Sequence, residues 1–193
     1  MRPKIKQVLQ QSIAVKQAIL ADPNLLQNIE VVTAALIAAF RADRKVWLCG
    51  NGGSASDAQH IAAEFSGRFY FDRPPLFAEA LTVNTSYLTA VANDYGFEYV
   101  YQRLVEAKGR RGDVLIGLST SGNSPNVVNA LQVAQNQGLI TVAMTGETGG
   151  KLAGVADYLI NVPSSDTPRI QESHITIGHI FCELVEAALF EKS

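Results

Sequence analysis

The run Cys49-Gly50-Asn51-Gly52-Gly53-Ser54 follows the apolar stretch Val46-Trp47-Leu48 and leads into a helical pattern that carries His60 and Glu64. Glycines at 50, 52 and 53 allow positive φ and close backbone approach, and a helix beginning at Ser54 aims free N–H groups and its positive dipole end at a bound oxyanion. His60 and Glu64, at i and i+4, share one face of that helix. One turn can therefore hold both an anion cradle and an acid/base pair. A second polar turn, Ser119-Thr120-Ser121-Gly122-Asn123-Ser124, follows the apolar run Val114–Leu118 and precedes Pro125, which places Ser124 at an N-cap and Pro125 at the first helical position. Its hydroxyls, with the N–H groups of a helix start, suit a phosphate monoester held without a lysine. Such turns also cap helices with no ligand. The place directly after a buried strand favours the phosphate site.

Apolar positions Ile5, Val8, Leu9 and Ile13, then Leu25, Ile29, Val32, Leu36 and Phe40, recur at three- and four-residue spacing and are interrupted by Asp22-Pro23. This predicts two amphipathic helices within residues 1–44, with Pro23 near the start of the second. Short β-type runs follow at Val46–Cys49, Phe77–Val83, Val114–Leu118, Leu139–Met144 and Tyr158–Val162, most of them separated by helical patterns. The alternation predicts parallel strands joined by right-handed crossovers, with helices on both faces. The expected class is α/β, a three-layer sandwich with a five-stranded parallel sheet flanked by helices, plus the N-terminal helical extension. A last helix is expected from about Pro168 through Phe190. No Pro/Gly/Ser-rich linker or internal repeat divides the chain, so residues 1–193 read as a single domain.

The 193 residues, 47% hydrophobic and 18% charged, can bury a real core, and disorder is not expected. A formal net charge of −2 argues against a nucleic-acid surface. The adjacent pair Arg110-Arg111, between Gly109 and Gly112, reads as a solvated turn. Cys49 and Cys182 stand far apart in apolar contexts and no basic-then-apolar leader opens the sequence, so a reducing cytoplasm is the expected compartment. The apolar run Val31–Phe40, flanked by Glu30 and Arg41, is too short to cross a bilayer, and no membrane segment is expected.

Taken together, the two loops resemble those of the sugar isomerase (SIS) domain family, whose members bind phosphosugars. The set His60-x-x-x-Glu64, Asn93-Asp94 and Arg169-Ile170-Gln171-Glu172 followed by His179 is more specific, and is similar to the phosphoheptose isomerase family within it, over essentially the whole chain. That resemblance implies the SIS fold and interconversion of sedoheptulose 7-phosphate and D-glycero-D-manno-heptose 7-phosphate, the first step toward nucleotide-activated heptose. It implies substrate contacts from Asn51, Gly52, Gly53, Ser54, Glu64, Asn93, Asp94, Ser119, Thr120, Ser121, Ser124 and Gln171. It further implies one zinc per subunit on His60, Glu64, Gln171 and His179, with Glu64 as general base and His179 as its acid partner. A homotetramer with active sites lined by neighbouring subunits is also implied.

Aldose–ketose interconversion moves a proton between C1 and C2 through an enediol, so it needs a base at carbon, an acid at oxygen and stabilisation of the enediolate. Glu64 and His179 can fill the first two roles, and zinc on the carbonyl oxygen would act as a Lewis acid. If Glu64 is a metal ligand its lone pairs are engaged and it is a poorer base, so coordination and catalysis alternate or the metal is chiefly structural. On a straight helix His179 lies about 20° from Glu172 and about 80° from Gln171, so angle alone prefers Glu172 as its neighbour. Glu172 could instead pair with an arginine such as Arg169 or one from another subunit. A neutral amide is also a weak zinc ligand, and Gln171 enters only through the resemblance.

Duller readings stand beside these. Asn93 and Asp94 could be turn residues before Gly96, His174 is expected to be structural, and Arg68, just after Gly67, suits a helix C-terminus with or without a phosphate. A rival function is a non-catalytic SIS protein that binds a phosphosugar or a protein partner, like the tetrameric relative that associates with the bacterial replication initiator. Such a binding module would not require the acid/base pair. A sensor fused to DNA-binding elements is disfavoured by the lack of a helix-turn-helix segment or basic stripe.

Overall fold

The computed structural model describes residues 1–190. Two leading helices form as the periodicity requires, α1 (Arg2–Leu20) and α2 (Pro23–Arg41). The Asp22 carboxylate caps α2 by accepting from the N–H groups of Asn24 and Leu25, with Pro23 in the first turn. α2 buries Leu25, Ile29, Val32, Leu36 and Ala39, whereas α1 buries none of its residues.

Five parallel strands follow, β1 (Val46–Gly50), β2 (Ala78–Ala80), β3 (Val114–Ser119), β4 (Ile140–Thr145) and β5 (Tyr158–Asn161), in the order β2-β1-β3-β4-β5. The intervening helices are α3 (Gly53–Ser66), α4 (Thr85–Tyr95), α5 (Val100–Lys108) and α6 (Pro125–Asn136), and α7 (Thr167–Phe190) follows β5. Side chains alternate across the sheet. Val46, Leu48, Val114, Ile116, Leu118, Val142 and Met144 join one buried core with α2, α3 and α7, while Trp47, Cys49, Leu115 and Ala143 join the other with α5 and α6. This is the expected three-layer sandwich. The other strands match the expected runs to within one residue at each end, whereas β2 shrinks from Phe77–Val83 to three residues, an edge strand paired on one side to β1.

From β1 the chain turns through α3 toward β2, and from β3 it turns through α6 toward β4, so the two connections leave neighbouring strands in opposite directions. Their diverging loops open a crevice at the carboxyl ends of β1 and β3, where sheets of this strand order bind ligands. α2 and α7 are long and apolar enough to cross a membrane, with mean hydropathy 1.2 over the most apolar window of each. Each packs one face on the sheet, with residues such as Leu36, Phe181 and Val185 fully enclosed, while Leu26, Val31, Ile180 and Leu184 remain exposed.

Candidate active site

The turn after β1 is built on glycine. Gly52 adopts φ +53°, and a Cβ on Gly50 would come 2.7 Å from the Ser54 carbonyl oxygen. α3 starts at Gly53, one residue before the expected Ser54; Ser54 is buried, and its N–H donates to the Asn51 carbonyl at 3.0 Å. Among the described residues, no acceptor engages the N–H groups of Gly52 and Gly53, which leaves them for an anion at the helix start. Asn51 is fixed by a reciprocal amide pair with Asn126, at 2.9 and 2.8 Å, and Tyr101 braces the same turn by donating to the Gly50 carbonyl at 2.6 Å. Neither Asn126 nor Tyr101 stood out in the sequence, since each lies on another helix and far along the chain.

Ser124 occupies the N-cap of α6 and Pro125 its first turn, but the Ser124 side chain makes no capping bond. Its hydroxyl instead meets that of Ser119 at 2.9 Å. Gly122, at φ +66°, folds the loop directly onto the backbone of Gly149, and Asn123 accepts from the Lys151 N–H at 3.0 Å, so the loop is braced from behind. Ser121 is exposed and Thr120 half-buried. Between the two loops lies a cleft of about 210 Å³ lined by Asn51, Phe97, Glu98, Ser124, Pro125 and Asn126.

His60 and Glu64 lie one turn apart on α3, with Nε2 and Oε1 3.2 Å apart, and His179 of α7 brings its Nε2 to 3.4 Å from that of His60. The three donor atoms all lie within 4.8 Å of one another, a group able to hold a metal ion. α3 and α7 run side by side in the same direction, since Gln171 meets Gly53, Gly178 meets Ile61 and His179 meets His60 in step. Gly178 permits this closeness, because a Cβ there would overlap Ile61. The Phe69 ring packs against the imidazole of His179 with centroids 5.6 Å apart. Asp57, one turn before His60, has one carboxylate oxygen buried without a partner, and burial raises its pKa while the nearby His60 opposes the rise.

Glu172 does not join His179. Seven residues of helix also separate the two by about 10 Å along the axis, and Glu172 pairs instead with the buried Arg169 at 2.6 Å. The Gln171 side chain lies against Gly53, where a Cβ would come 2.5 Å from its Nε2, so it faces the mouth of the first loop. Asn93 and Asp94 sit exposed in the last turn of α4, hydrogen-bonded to each other at 2.9 Å, with Gly96 at φ +104° ending the helix. His174 is structural, as expected: it is fully buried, with Nε2 3.1 Å from the Thr145 carbonyl and Nδ1 without a partner. Arg110 and Arg111 are exposed as a solvated turn, and Arg68 is exposed.

A further pair escaped the sequence reading altogether. Glu186 of α7 and Arg73, in the segment after α3, form an ion pair at 2.9 Å with side chains 1% and 2% exposed. An acid on the buried side of the apolar run Leu184-Val185-Glu186-Ala187 was the available signal.

The profile of the SIS domain matches residues 10–146. A phosphoheptose isomerase of Aneurinibacillus thermoaerophilus is 56% identical over 190 residues, covering 98% of this chain and 96% of its own. One of Sulfurimonas denitrificans is 50% identical over 190 residues, covering 98% and 97%. Among solved structures, a phosphoheptose isomerase from Neisseria gonorrhoeae superposes with a TM-score of 0.90 at 41% identity, covering 96% of this chain and 98% of that one.

Proposed function

The chain belongs to the SIS-domain family, and we propose that it works as a phosphoheptose isomerase, converting sedoheptulose 7-phosphate to D-glycero-D-manno-heptose 7-phosphate through an enediol. Relatives bearing that name at 50% identity and above, over nearly the whole chain, support the activity. The observation that carries it in the fold is the meeting of Glu64 with His179, a carboxylate and an imidazole from helices far apart in sequence, with Glu64 on the helix that opens from the first loop suited to phosphate. A binding module needs the loops but not the pair.

In the mechanism, the phosphoryl group is held by the N–H groups of Gly52 and Gly53 and by the hydroxyls of Ser119, Thr120, Ser121 and Ser124, at the positive ends of α3 and α6. Asn51, kept in place by Asn126 and Tyr101, and Gln171, against Gly53, orient the sugar. Glu64 removes the carbon-bound proton and His179 returns a proton at oxygen. Ser54, buried beneath the turn, acts through its backbone.

The donor set fits zinc. The His60–Glu64 and His60–His179 separations of 3.2 and 3.4 Å are those of ligands about 2.0–2.1 Å from one ion, and the third separation, Glu64 to His179, lies within 4.8 Å. When bound, zinc would supply Lewis acidity at the substrate carbonyl. His60, Glu64 and His179 would hold it, with Gln171 available from the same side. Asn93 and Asp94, exposed at the end of α4, serve a neighbouring subunit's site in a homotetramer, a reading supported by the exposed apolar residues Ile5, Leu9 and Ile13 of α1. The buried free thiols of Cys49 and Cys182 accord with a reducing cytoplasm.

Incubation of the purified protein with sedoheptulose 7-phosphate, and separately with fructose 6-phosphate, tests the substrate. Aldose formation from the seven-carbon sugar is expected; turnover of the six-carbon sugar alone would refute the heptose assignment.

A further inference from the structure

Glu186 stands seven residues beyond His179 on α7, two turns along nearly the same face. Its carboxylate accepts from the N–H groups of Phe69 at 2.9 Å, Tyr70 at 2.5 Å and Phe71 at 3.1 Å, and from Arg73 Nε at 2.9 Å. Arg73 in turn donates to the carbonyls of Phe65 at 2.8 Å, Gly67 at 3.2 Å and Pro74 at 3.1 Å through one nitrogen, and to that of Glu64 at 2.9 Å through the other. One guanidinium thus closes the C-terminus of α3 at the residue that carries the base, while its partner carboxylate is rooted in the helix that carries the acid. Between them runs the segment whose first ring, Phe69, packs on His179. Burial alone would raise the Glu186 carboxyl, but the three N–H groups and the guanidinium outweigh it and hold it below its ordinary value.

A cation at a helix C-terminus could be supplied by any exposed lysine. What a lysine cannot do is reach a carboxylate and carbonyls of both α3 and the following segment at once, which takes the planar fork of arginine. A fold needing only stability would be served as well by apolar side chains of similar volume, since buried ion pairs seldom stabilise more than such replacements. The geometry of this pair therefore suits a spacer between two reacting groups.

We propose that Arg73 and Glu186 are positioning residues that set the separation of Glu64 from His179, and with it the geometry of the His60, Glu64 and His179 group. This rests on the isomerase reading for its catalytic consequence, though not for its effect on the metal group.

Glu186→Gln and Arg73→Lys are to be compared with the wild type in steady-state turnover of sedoheptulose 7-phosphate, and in zinc affinity measured by competition with a chromogenic chelator. The expected result is a kcat lowered at least about tenfold with KM within about threefold, and zinc bound about tenfold more weakly. Leu104→Ala, in the opposite core, should lower stability and leave both readouts unchanged. Should Glu186→Gln not fold, Glu186→Asp keeps the charge but shortens the reach to the three N–H groups and Arg73 by one methylene, and it must lower kcat. Wild-type kcat and zinc affinity in folded Glu186→Gln, or in folded Glu186→Asp, would overturn the proposal. A wild-type protein inactive on the sugar phosphate would count against the isomerase reading alone, because zinc affinity still reports on the clamp.

Discussion

Gly178 packs directly on Ile61: a Cβ at position 178 would overlap the isoleucine side chain, and the next residue, His179, reaches His60 at 3.4 Å. Close approach of α3 and α7 at this one point is what converts two distant histidines into neighbours. Gly178→Ala should therefore cost about 1–3 kcal/mol through overpacking and push α7 outward. Thermal unfolding and turnover should both fall, and adding Ile61→Val should recover part of each by making room. Unchanged activity in Gly178→Ala would show that the contact does not set the site.

The serines of the loop after β3 should act on the ligand more than on the fold. The Ser124 hydroxyl makes no capping bond but meets the buried Ser119 hydroxyl at 2.9 Å, so Ser124→Ala should lower stability by about 1 kcal/mol through that bond and not through a lost cap. Alanine at Ser119, Ser121 or Ser124 should raise KM more than it lowers kcat, each lost bond to phosphate being worth about 1.5–3 kcal/mol. Substrate bound as tightly by all three variants would reduce the loop to a helix start.

The layers and the loops were legible because local composition dictates them: alternating apolar strands, Asp22-Pro23 before α2, and Gly or Ser at each turn that the chain must make. Gly52 and Gly122 show the point, since both stand at positive φ where the sequence placed a cradle. Partnerships formed across the fold were not legible. Arg73 lies in Phe71-Asp72-Arg73-Pro74-Pro75, where no apolar periodicity marks it, and its acid arrives from the far end of the chain. The angular preference for Glu172 beside His179 failed because a shared helical face says nothing of axial distance, and the buried charge of Arg169 claims that carboxylate first. Gln171 beside Gly53 likewise depends on how α7 meets α3, which no local pattern contains.

His174 gives stability an acid limb. Burial lowers its pKa from 6.5 to about 4, with the Thr145 carbonyl opposing, so it stays neutral when folded at a pH where the unfolded chain protonates it. Its contribution is complete above about pH 6.5, declines as pH falls toward 4 at up to about 1.4 kcal/mol per unit, and levels off below. Denaturant titrations of wild type and His174→Gln across pH 4–7 should show a shallower slope in the variant. Equal slopes would remove His174 from the acid response.

Zinc content and catalysis separate through His60, which is offered as a ligand but carries no proton in the mechanism. His60→Ala should lose stoichiometric zinc, and activity that is absent in chelator-treated protein and returns with added zinc would mark the ion as a working Lewis acid. Full turnover by the zinc-free variant would make the metal incidental.

Glu64 is the residue on which the isomerisation turns. Glu64→Gln keeps the shape of the side chain and removes its basicity, so turnover of sedoheptulose 7-phosphate should fall roughly 10²–10⁴-fold while affinity for the sugar phosphate, held by the two loops, stays near wild type. A Glu64→Gln protein that isomerises the sugar at the wild-type rate would remove Glu64 as the base and contradict the mechanism.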